Sequence, residues 1–425
     1  MRVASWLDRS AATHPDRPAI ETPTGSLTYA ELAAAAAADL PAGERVAIAL
    51  PPGLDFAVAL HACLRSGAVA VPVDLRLGSR ERAAVCAGAV RVIDRPIRSG
   101  GGPGRPAGGH DLGAPAVVVH TSGTTGPPRA VVLTYGNLLW SAVGSATAIG
   151  LDPAERWLCA LPPAHVGGLS ILVRSAIYGT TAVVHERFDT TTVIAALMNE
   201  AITVVSLVPT TLARLLDAGL CDPPSLRCAL VGGAPVPPSL LDRALSVGLR
   251  VSQTYGLSET CSQVTTQMPG DGGPDAGPPL FCTRVRIVDG EIQVAGPTVA
   301  EAAGPWLATG DLGELVDGRL RVTGRRSDTI VSGGENIAPT EIEAVLAEHP
   351  AVAEAAVLGV PDAEWGEAIC ALVVVAPGTP PPDPDELRRH CRERLAAFKV
   401  PKGFVFVESL PRTRSGKLAR AELRR

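Results

Sequence analysis

Ala116-Val117-Val118-Val119-His120, then Thr121-Ser122-Gly123-Thr124-Thr125-Gly126-Pro127-Pro128-Arg129, then Val131-Val132-Leu133-Thr134 is the stretch around which the rest of the chain makes sense. The first run is short, apolar and β-branched, the pattern of a buried strand, and the last reads as a second strand. Between them lie hydroxyl residues, glycines, prolines and one cation. Glycines let backbone N–H groups turn toward one point, hydroxyls add donors and Arg129 adds fixed positive charge, so the loop predicts a phosphate cradle. The same residue types also build an ordinary polar hairpin. It is not a Walker A loop, because no Gly-Lys-Ser/Thr follows and no helix opens directly after it.

Outward from this loop the sequence alternates strand and helix patterns. Upstream, Leu27 to Leu32 leads into an alanine run, Ala33 to Ala38, of high helix propensity. Arg45–Leu50 reads as a strand, Asp55–Arg65 as a helix and Ala68–Asp74 as the next strand. Residues 95–114 are dense in Gly, Pro and Arg and predict a surface loop. Downstream, Ile202–Pro209 is a strand feeding a helix at Thr210–Leu216, and Leu226–Val231 is a strand ending in the turn Gly232-Gly233-Ala234-Pro235. Strands separated by helices give an α/β class with mainly parallel sheet, in which ligands gather at the carboxyl ends of strands. From Arg284 the pattern changes to short strands and turns, as in a small β subdomain. Beyond a boundary near Gly324, a helix at Pro339–Ala347, strands at Ala355–Val360 and Ala368–Val375 and a helix at Asp385–Leu395 predict a compact α+β domain. The expected division is therefore 1–324 and 325–425. There is no internal repeat, and with nothing after Arg425 no fused carrier domain is expected.

A chain of 425 residues exceeds one simple core. With 46% hydrophobic and 19% charged residues it is expected to be ordered and well buried. A net charge of −5 leaves no electrostatic footprint for nucleic acid. No apolar run approaches a membrane span and the N-terminus lacks a signal-peptide core. The nine cysteines include no C-x-x-C pair, which argues against a disulfide framework or zinc site and suits a reducing compartment. A cytoplasmic protein is the expectation; a homo-oligomer is compatible with the sequence, which carries no signal for it.

The loop at 121–129 closely resembles the signature loop of the adenylate-forming superfamily, which contains acyl- and aryl-CoA ligases. Further signatures follow in the same order. Tyr255-Gly256-Leu257-Ser258-Glu259 resembles the aromatic-Gly-x-Thr-Glu motif, with Ser258 in place of Thr. Thr309-Gly310-Asp311 resembles the ribose clamp, and Leu410 to Lys417 the C-terminal lysine motif. Gly324-Arg325-Arg326-Ser327-Asp328 and Ser332-Gly333-Gly334-Glu335-Asn336-Ile337 resemble the interdomain hinge and the glycine loop beyond it. The resemblance implies a large ATP- and acid-binding domain followed by a small mobile α+β domain that carries the lysine. It implies ATP and CoA as co-substrates and Mg²⁺ as the metal cofactor. It assigns Thr121, Ser122, Gly123, Thr124, Thr125, Gly126 and Arg129 to the phosphates and Gly233, Ala234 and Pro235 to the adenine and acyl pockets. Tyr255 and Gly256 would lie against adenine, Ser258 would touch the α-phosphate, and Asp311 with Arg325 would hold the ribose. Glu259 would help hold Mg²⁺, one carboxylate sufficing beside phosphate oxygens. Lys417, a mobile point charge, would serve adenylation. Ser327 stands where the family's hinge carries Asp or Lys, and Ser327, Gly333 and Gly334 would belong to the hinge and thioester-forming side. Arg129 replaces the usual loop Lys and Ala130 the following Gly, which keeps the charge but changes its shape.

Within the superfamily, Leu161 to Ser175, Ser206-Leu207-Val208-Pro209-Thr210 and Glu259-Thr260-Cys261-Ser262-Gln263 most resemble the o-succinylbenzoate–CoA ligases of menaquinone biosynthesis. That substrate would be activated on its succinyl carboxylate while the aromatic carboxylate stays ionised, so the pocket needs a partner for a second negative charge. Arg174 is the candidate, directly or through water; the competing reading is a structural pair on a helix surface. Ser206, Gly256, Ser262 and Gln263 would line the acid side, and His165 would be a pocket wall gating the path from acid to CoA. The alternatives are another aryl- or acyl-CoA ligase, an adenylation enzyme loading a separate carrier protein, and a catalytically silent nucleotide-binding relative.

Overall fold

The computed structural model describes residues 1–97, 108–121, 129–332, 335–412 and 418–423. Two sheets form the large N-terminal part. The first has five strands in the order Arg91–Ile93, Arg45–Ile48, Val69–Pro72, Pro115–Thr121, Arg129–Thr134. All pairings are parallel except the last, the hairpin that carries the predicted phosphate loop. The second sheet has eight strands, running Thr265–Thr266, Val251–Tyr255, Cys228–Gly232, Val204–Leu207, Arg156–Cys159, Thr181–Val184, Pro18–Thr22, Gly25–Thr28. It is parallel inside and antiparallel at both edges.

Side-chain alternation stacks these sheets. Trp157, Cys159, Ala182, Val184 and Val204 face one core with Val46, Ile48, Val117 and Val119 of the first sheet. The helices Leu54–Ser66, Tyr135–Ile149 and Val166–Tyr178 lie in that shared core. Leu158, Val183, Val205 and Val231 point the other way, onto the helices Thr190–Asn199, Pro209–Asp217 and Pro238–Ser246. Ala47, Val69, Val71 and Val118 do the same on the far side of the first sheet, over the helix Ser79–Cys86. Strands buried on both faces read as unbroken apolar runs, which is why the sequence marked them so clearly.

Two local expectations fail. The alanine run does not continue as helix: the helix Tyr29–Ala35, opened by a Thr28–Glu31 capping box, ends before the run does. Pro41 disfavours helix at the residue before it, and burial of Ala36 and Leu40 draws the chain down onto the core. The predicted surface loop contains a buried element, because His110–Asp111 pairs with Arg2–Val3. His110 accepts a hydrogen bond from the Trp6 backbone N–H (3.2 Å) and stacks on Tyr135 at 4.5 Å. A two-residue strand has no periodicity to detect.

The β subdomain is a four-stranded antiparallel meander, Arg284–Val288, Glu291–Ala295, Leu307–Val316, Arg319–Arg325, whose core includes Val264 of the larger unit. A turn at Arg326–Asp328 leads into the last sheet, where Gly366–Val375 is flanked by Val352–Asp362 on one side and by Ile330–Ser332 and Gly403–Phe406 on the other. The helix Pro339–Ala347 buries Ile342 and Leu346 against it, with Val345 partly buried, the face its periodicity predicts.

Candidate active site

Three neighbouring strands of the large sheet end together. Ser206 is paired with Leu230, and Gly232 with Thr254, so Ser206, the turn Gly233-Ala234-Pro235 and Tyr255-Gly256 come out along one carboxyl edge. Gly232 is required there, since a Cβ would sit 2.9 Å from the Thr254 carbonyl oxygen, and Gly233 adopts φ +82. Ser206 is buried, and its hydroxyl accepts from the Trp157 indole N–H at 3.0 Å.

Beyond Tyr255 the chain makes a short 3₁₀ turn, Ser258–Thr260, then reverses through Cys261 (φ 55) and Ser262 (φ 95). A Cβ on Gly256 would lie 1.5 Å from the Ser262 carbonyl oxygen, so the fold of this loop requires glycine at that position. The backbone carbonyl of Glu259 accepts from Ala300 N–H (2.8 Å), which ties the candidate magnesium ligand to the large domain. Gln263 is buried, its amide donating to the Thr266 hydroxyl at 2.8 Å. The strand Arg129–Thr134 lies against the 3₁₀ turn Ser258–Thr260, so the strand that follows the predicted phosphate loop neighbours Ser258-Glu259. Thr121 pairs with Arg129 at the base of that hairpin; Ser122, Gly123, Thr124, Thr125 and Gly126 lie outside the described residues.

Asp311 joins this loop to the antiparallel meander. Its Oδ2 accepts from the Tyr255 hydroxyl (2.9 Å) and its Oδ1 from Arg325 Nε (2.7 Å), Arg325 being its cross-strand partner. Burial, reinforced by the Asp311 charge, raises the Tyr255 phenol well above its ordinary range, so it remains a donor. Gly310 (φ 74) turns its N–H onto Glu291 Oε1 (2.8 Å), and Asp311 N–H bonds the Thr309 hydroxyl (3.1 Å). Thr309-Gly310-Asp311 is thus a built turn that presents a carboxylate still able to accept further bonds.

His165 is the N-cap residue of Val166–Tyr178. Its Nε2 lies 3.6 Å from Asp74 Oδ2 and 3.4 Å from Arg76 Nη2, at the carboxyl end of the strand Val69–Pro72. Arg76 also clasps Asp74 through Nε (2.9 Å) and Nη2 (2.7 Å). Burial alone would raise the Asp74 carboxyl, but the hydrogen bonds from His165 and Arg76 outweigh it and hold it well below the usual carboxylate range. Gly168 permits the tight entry into the helix, where a Cβ would meet the Leu161 and Pro162 carbonyl oxygens at 2.6 and 2.7 Å. Arg174, further along, is not on a helix surface; it is 2% exposed. Burial pushes the thiols of Cys63, Cys159 and Cys261 up to about 12, so they are inert at neutral pH.

Family models match along most of this architecture: "AMP-binding enzyme" over residues 7–93 and 101–304, and "AMP-binding enzyme C-terminal domain" over 341–417. The chain belongs to the AMP-binding enzyme family. Among curated relatives, the 2-succinylbenzoate–CoA ligase of Bacillus licheniformis is 39% identical, with 99% of each chain covered. Among solved structures, o-succinylbenzoate coenzyme A synthetase of Bacillus subtilis with ATP and magnesium ion superposes with a TM-score of 0.90 at 36% identity, covering 100% of both chains. With the acyl-adenylate intermediate OSB-AMP the same protein gives 0.88 at 36% identity over 100% of this chain and 99% of that one. A double mutant of it bound to a product analogue gives 0.72 at 37% identity over 100% and 98%.

In this AMP-binding enzyme the structure brings together the turn Gly233-Ala234-Pro235, Tyr255, Gly256, Ser258, Glu259, Asp311 and Arg325. His165 stands in a separate cluster with Asp74 and Arg76. Ser327 is exposed, with its hydroxyl on Asp328 Oδ1 (3.2 Å). Gly333, Gly334 and Lys417 lie outside the described residues, and Lys417 falls between Arg412 and Leu418, which form a β-bridge. Sequence reasoning missed Asp74, Arg76 and Glu291. Only Asp74 and Arg76 left a signal, an acid and a cation two apart directly after a strand.

Proposed function

We propose that the chain is an ATP-dependent 2-succinylbenzoate–CoA ligase. One oxygen of the succinyl carboxylate attacks the α-phosphorus of ATP, the bond to pyrophosphate breaks, and an acyl-adenylate forms. The CoA thiol sulfur then attacks the acyl carbon, AMP leaves and the thiol proton is lost to solvent or a base. The product is the CoA thioester of a menaquinone precursor. The observation that carries this reading is the match across 99% of both chains to a 2-succinylbenzoate–CoA ligase.

The residues fit those steps. Asp311 and Arg325 offer the ribose a preset carboxylate and cation, and Tyr255, pinned by its hydroxyl, offers its ring for adenine to stack on. Ser258 and the sequence motif from Thr121 to Arg129 would serve the phosphates. Glu259 supplies one hard oxygen ligand for the Mg²⁺ that accompanies ATP; among the described residues there is no cluster of three or more His, Cys, Asp or Glu that would hold a metal without phosphate help. Bound Mg²⁺ would neutralise charge on the phosphates. Ser206, Gly256, Ser262 and Gln263 line the acid side, with the Arg174 charge behind them. His165 gates the passage to CoA. Residues 325–425 act as the lid, turning about Ser327 with Gly333 and Gly334 and delivering Lys417. Use of ATP and CoA fits a cytoplasmic enzyme. Among the described residues no helix is long and apolar enough to cross a membrane.

The test is acid-dependent pyrophosphate release from Mg·ATP across aromatic and aliphatic acids, with and without CoA. Turnover on o-succinylbenzoate with a CoA thioester product is expected. Turnover on another acid alone would overturn the substrate assignment, and none on any acid would overturn the reaction.

A further inference from the structure

The strand Val69–Pro72 of the five-stranded sheet runs out into Asp74, and the strand Arg156–Cys159 of the eight-stranded sheet runs out, through a short loop, into His165. These are carboxyl ends of parallel strands, the edges at which α/β sheets collect ligands. The contact between Asp74 and His165 therefore joins the two sheets. Val69–Pro72 is also the parallel neighbour of Pro115–Thr121, the strand that enters the predicted phosphate loop.

Asp74 is fixed in place by its own turn. Its Oδ1 accepts from the Arg76 backbone N–H (3.0 Å) and from Arg76 Nε (2.9 Å), and its Oδ2 from Arg76 Nη2 (2.7 Å). The first bond closes an Asx turn after the strand, and the other two make the fork that sets a carboxylate's orientation. Two carboxylate oxygens offer about four acceptor positions, so one on Oδ2 is left over. His165 Nε2 lies 3.6 Å from that oxygen. The Asp74 side chain is only 11% exposed, yet it stays ionised because its hydrogen bonds outweigh burial.

His165 is the looser member, at 37% exposure. It caps its helix without a side-chain bond to it, and its Nδ1 has no hydrogen-bond partner among the described residues. Arg76 Nη2 also lies near Nε2, at 3.4 Å. The ring's one proton in the neutral state has a protein acceptor only on the Nε2 side, where the carboxylate stands. Histidine χ2 is broad, so a small rotation closes the remaining gap.

We propose that Asp74, clamped by Arg76, is the positioning residue for His165: its spare acceptor position takes the Nε2–H bond, which sets the tautomer and orientation of the imidazole at the passage to CoA and leaves Nδ1 as an acceptor for the incoming thiol. The inference rests on the ligase reading and on the gating role given to His165 above. Asp74 acts only through His165, so its loss falls on the transfer to CoA and not on adenylation.

The full-length protein, with isotope-labelled histidine, should be compared as wild type, Asp74→Asn, His165→Ala and the double variant. In a single turnover on o-succinylbenzoate, pyrophosphate release without CoA reads adenylation, and thioester formed after CoA is added reads transfer. Asp74→Asn keeps the shape and removes the charge-assisted bond; it is expected to slow transfer about tenfold or more and to leave adenylation within about threefold. In the His165→Ala background it should cost nothing further. A full additional loss there would overturn the proposal, as would equal losses in both half-reactions. The imidazole nitrogen resonances, with those of His165 identified by their absence in His165→Ala, should show the Nε2–H tautomer in wild type and a shift away from it in Asp74→Asn. That shift supports the proposal even if no acid is activated and the ligase reading fails. An Nδ1–H tautomer in wild type, or a tautomer unchanged in Asp74→Asn, overturns it. Asp74→Ser, whose hydroxyl can still close the turn, stands in if Asp74→Asn does not fold.

Discussion

Tyr255–Gln263 and Arg325–Asp328 meet at Asp311 but are held in different ways. On the first side, Thr260, Cys261 and Gln263 are buried, Ser262 O fills the space a Cβ on Gly256 would need, and Ser141 bonds the turn from behind. On the second, Arg326 is 54% exposed and lies 3.5 Å from Glu291, and Ser327 beside it is exposed. Buried polar networks fix one geometry, whereas exposed ion pairs contribute about 0–1 kcal/mol and exchange readily. The proposed nucleotide surface needs the former, and the proposed lid, which must turn, needs the latter.

That contrast can be broken most sharply at Gly256. Gly256→Ala should lower acid-dependent pyrophosphate release by about a hundredfold, since a shift of about 1 Å in a positioned group costs that much. Near-wild-type kinetics in this variant would show that the turn yields easily. A comparable effect on stability is expected from acid. Burial lowers His61 and His110 from 6.5 to about 4, so both are neutral in the fold. The unfolded chain takes up protons from about 6.5 downward and the folded chain only near 4. Stability is therefore intact above about 6.5 and falls toward pH 4, on the order of 3 kcal/mol per histidine. Melting curves across this range should flatten in His61→Leu; an unchanged slope would remove His61 from the account.

Next in size, Asp311→Asn should raise KM for ATP about tenfold to a hundredfold, the range for a hydrogen bond to a charged group, and leave KM for the acid within about threefold. Equal rises in both constants would mean that the carboxylate supports the turn as a whole. Arg326→Ala, on the exposed side, should move the melting temperature by no more than about 2 °C, an exposed pair of this kind being worth about 1 kcal/mol at most. A large destabilisation there would erase the distinction between the two sides.

The division between sides also explains what the sequence could and could not reveal. The carboxyl-edge residues Ser206, Gly233, Tyr255 and Gly256 were legible because strand, glycine and turn chemistry are local. Asp311 and Arg325 were legible as motifs, and cross-strand pairing put them in contact. Ser141 was not, because it lies 120 residues from Cys261 and looks like any helix serine until the two elements are side by side. The burial of Arg174 was hidden for the same reason, since neighbours on other elements decide whether a helix position faces water. Arg2–Val3 with His110–Asp111 escaped because pairing between distant two-residue segments leaves no pattern in either.

Arg325 and Arg326 are adjacent, but one reaches Asp311 Oδ1 and the other Glu291 Oε2, while Glu291 Oε1 holds the backbone N–H of Gly310, the residue before Asp311. These contacts close a ring from the candidate ribose carboxylate to the start of the connection into the last sheet. Linked equilibria are reciprocal. If a ribose that draws Asp311 away from Arg325 changes the stability of the Arg326–Glu291 contact, cutting that contact must change nucleotide affinity by the same factor. Nucleotide occupancy and the orientation of the last hundred residues would then be two readouts of one equilibrium.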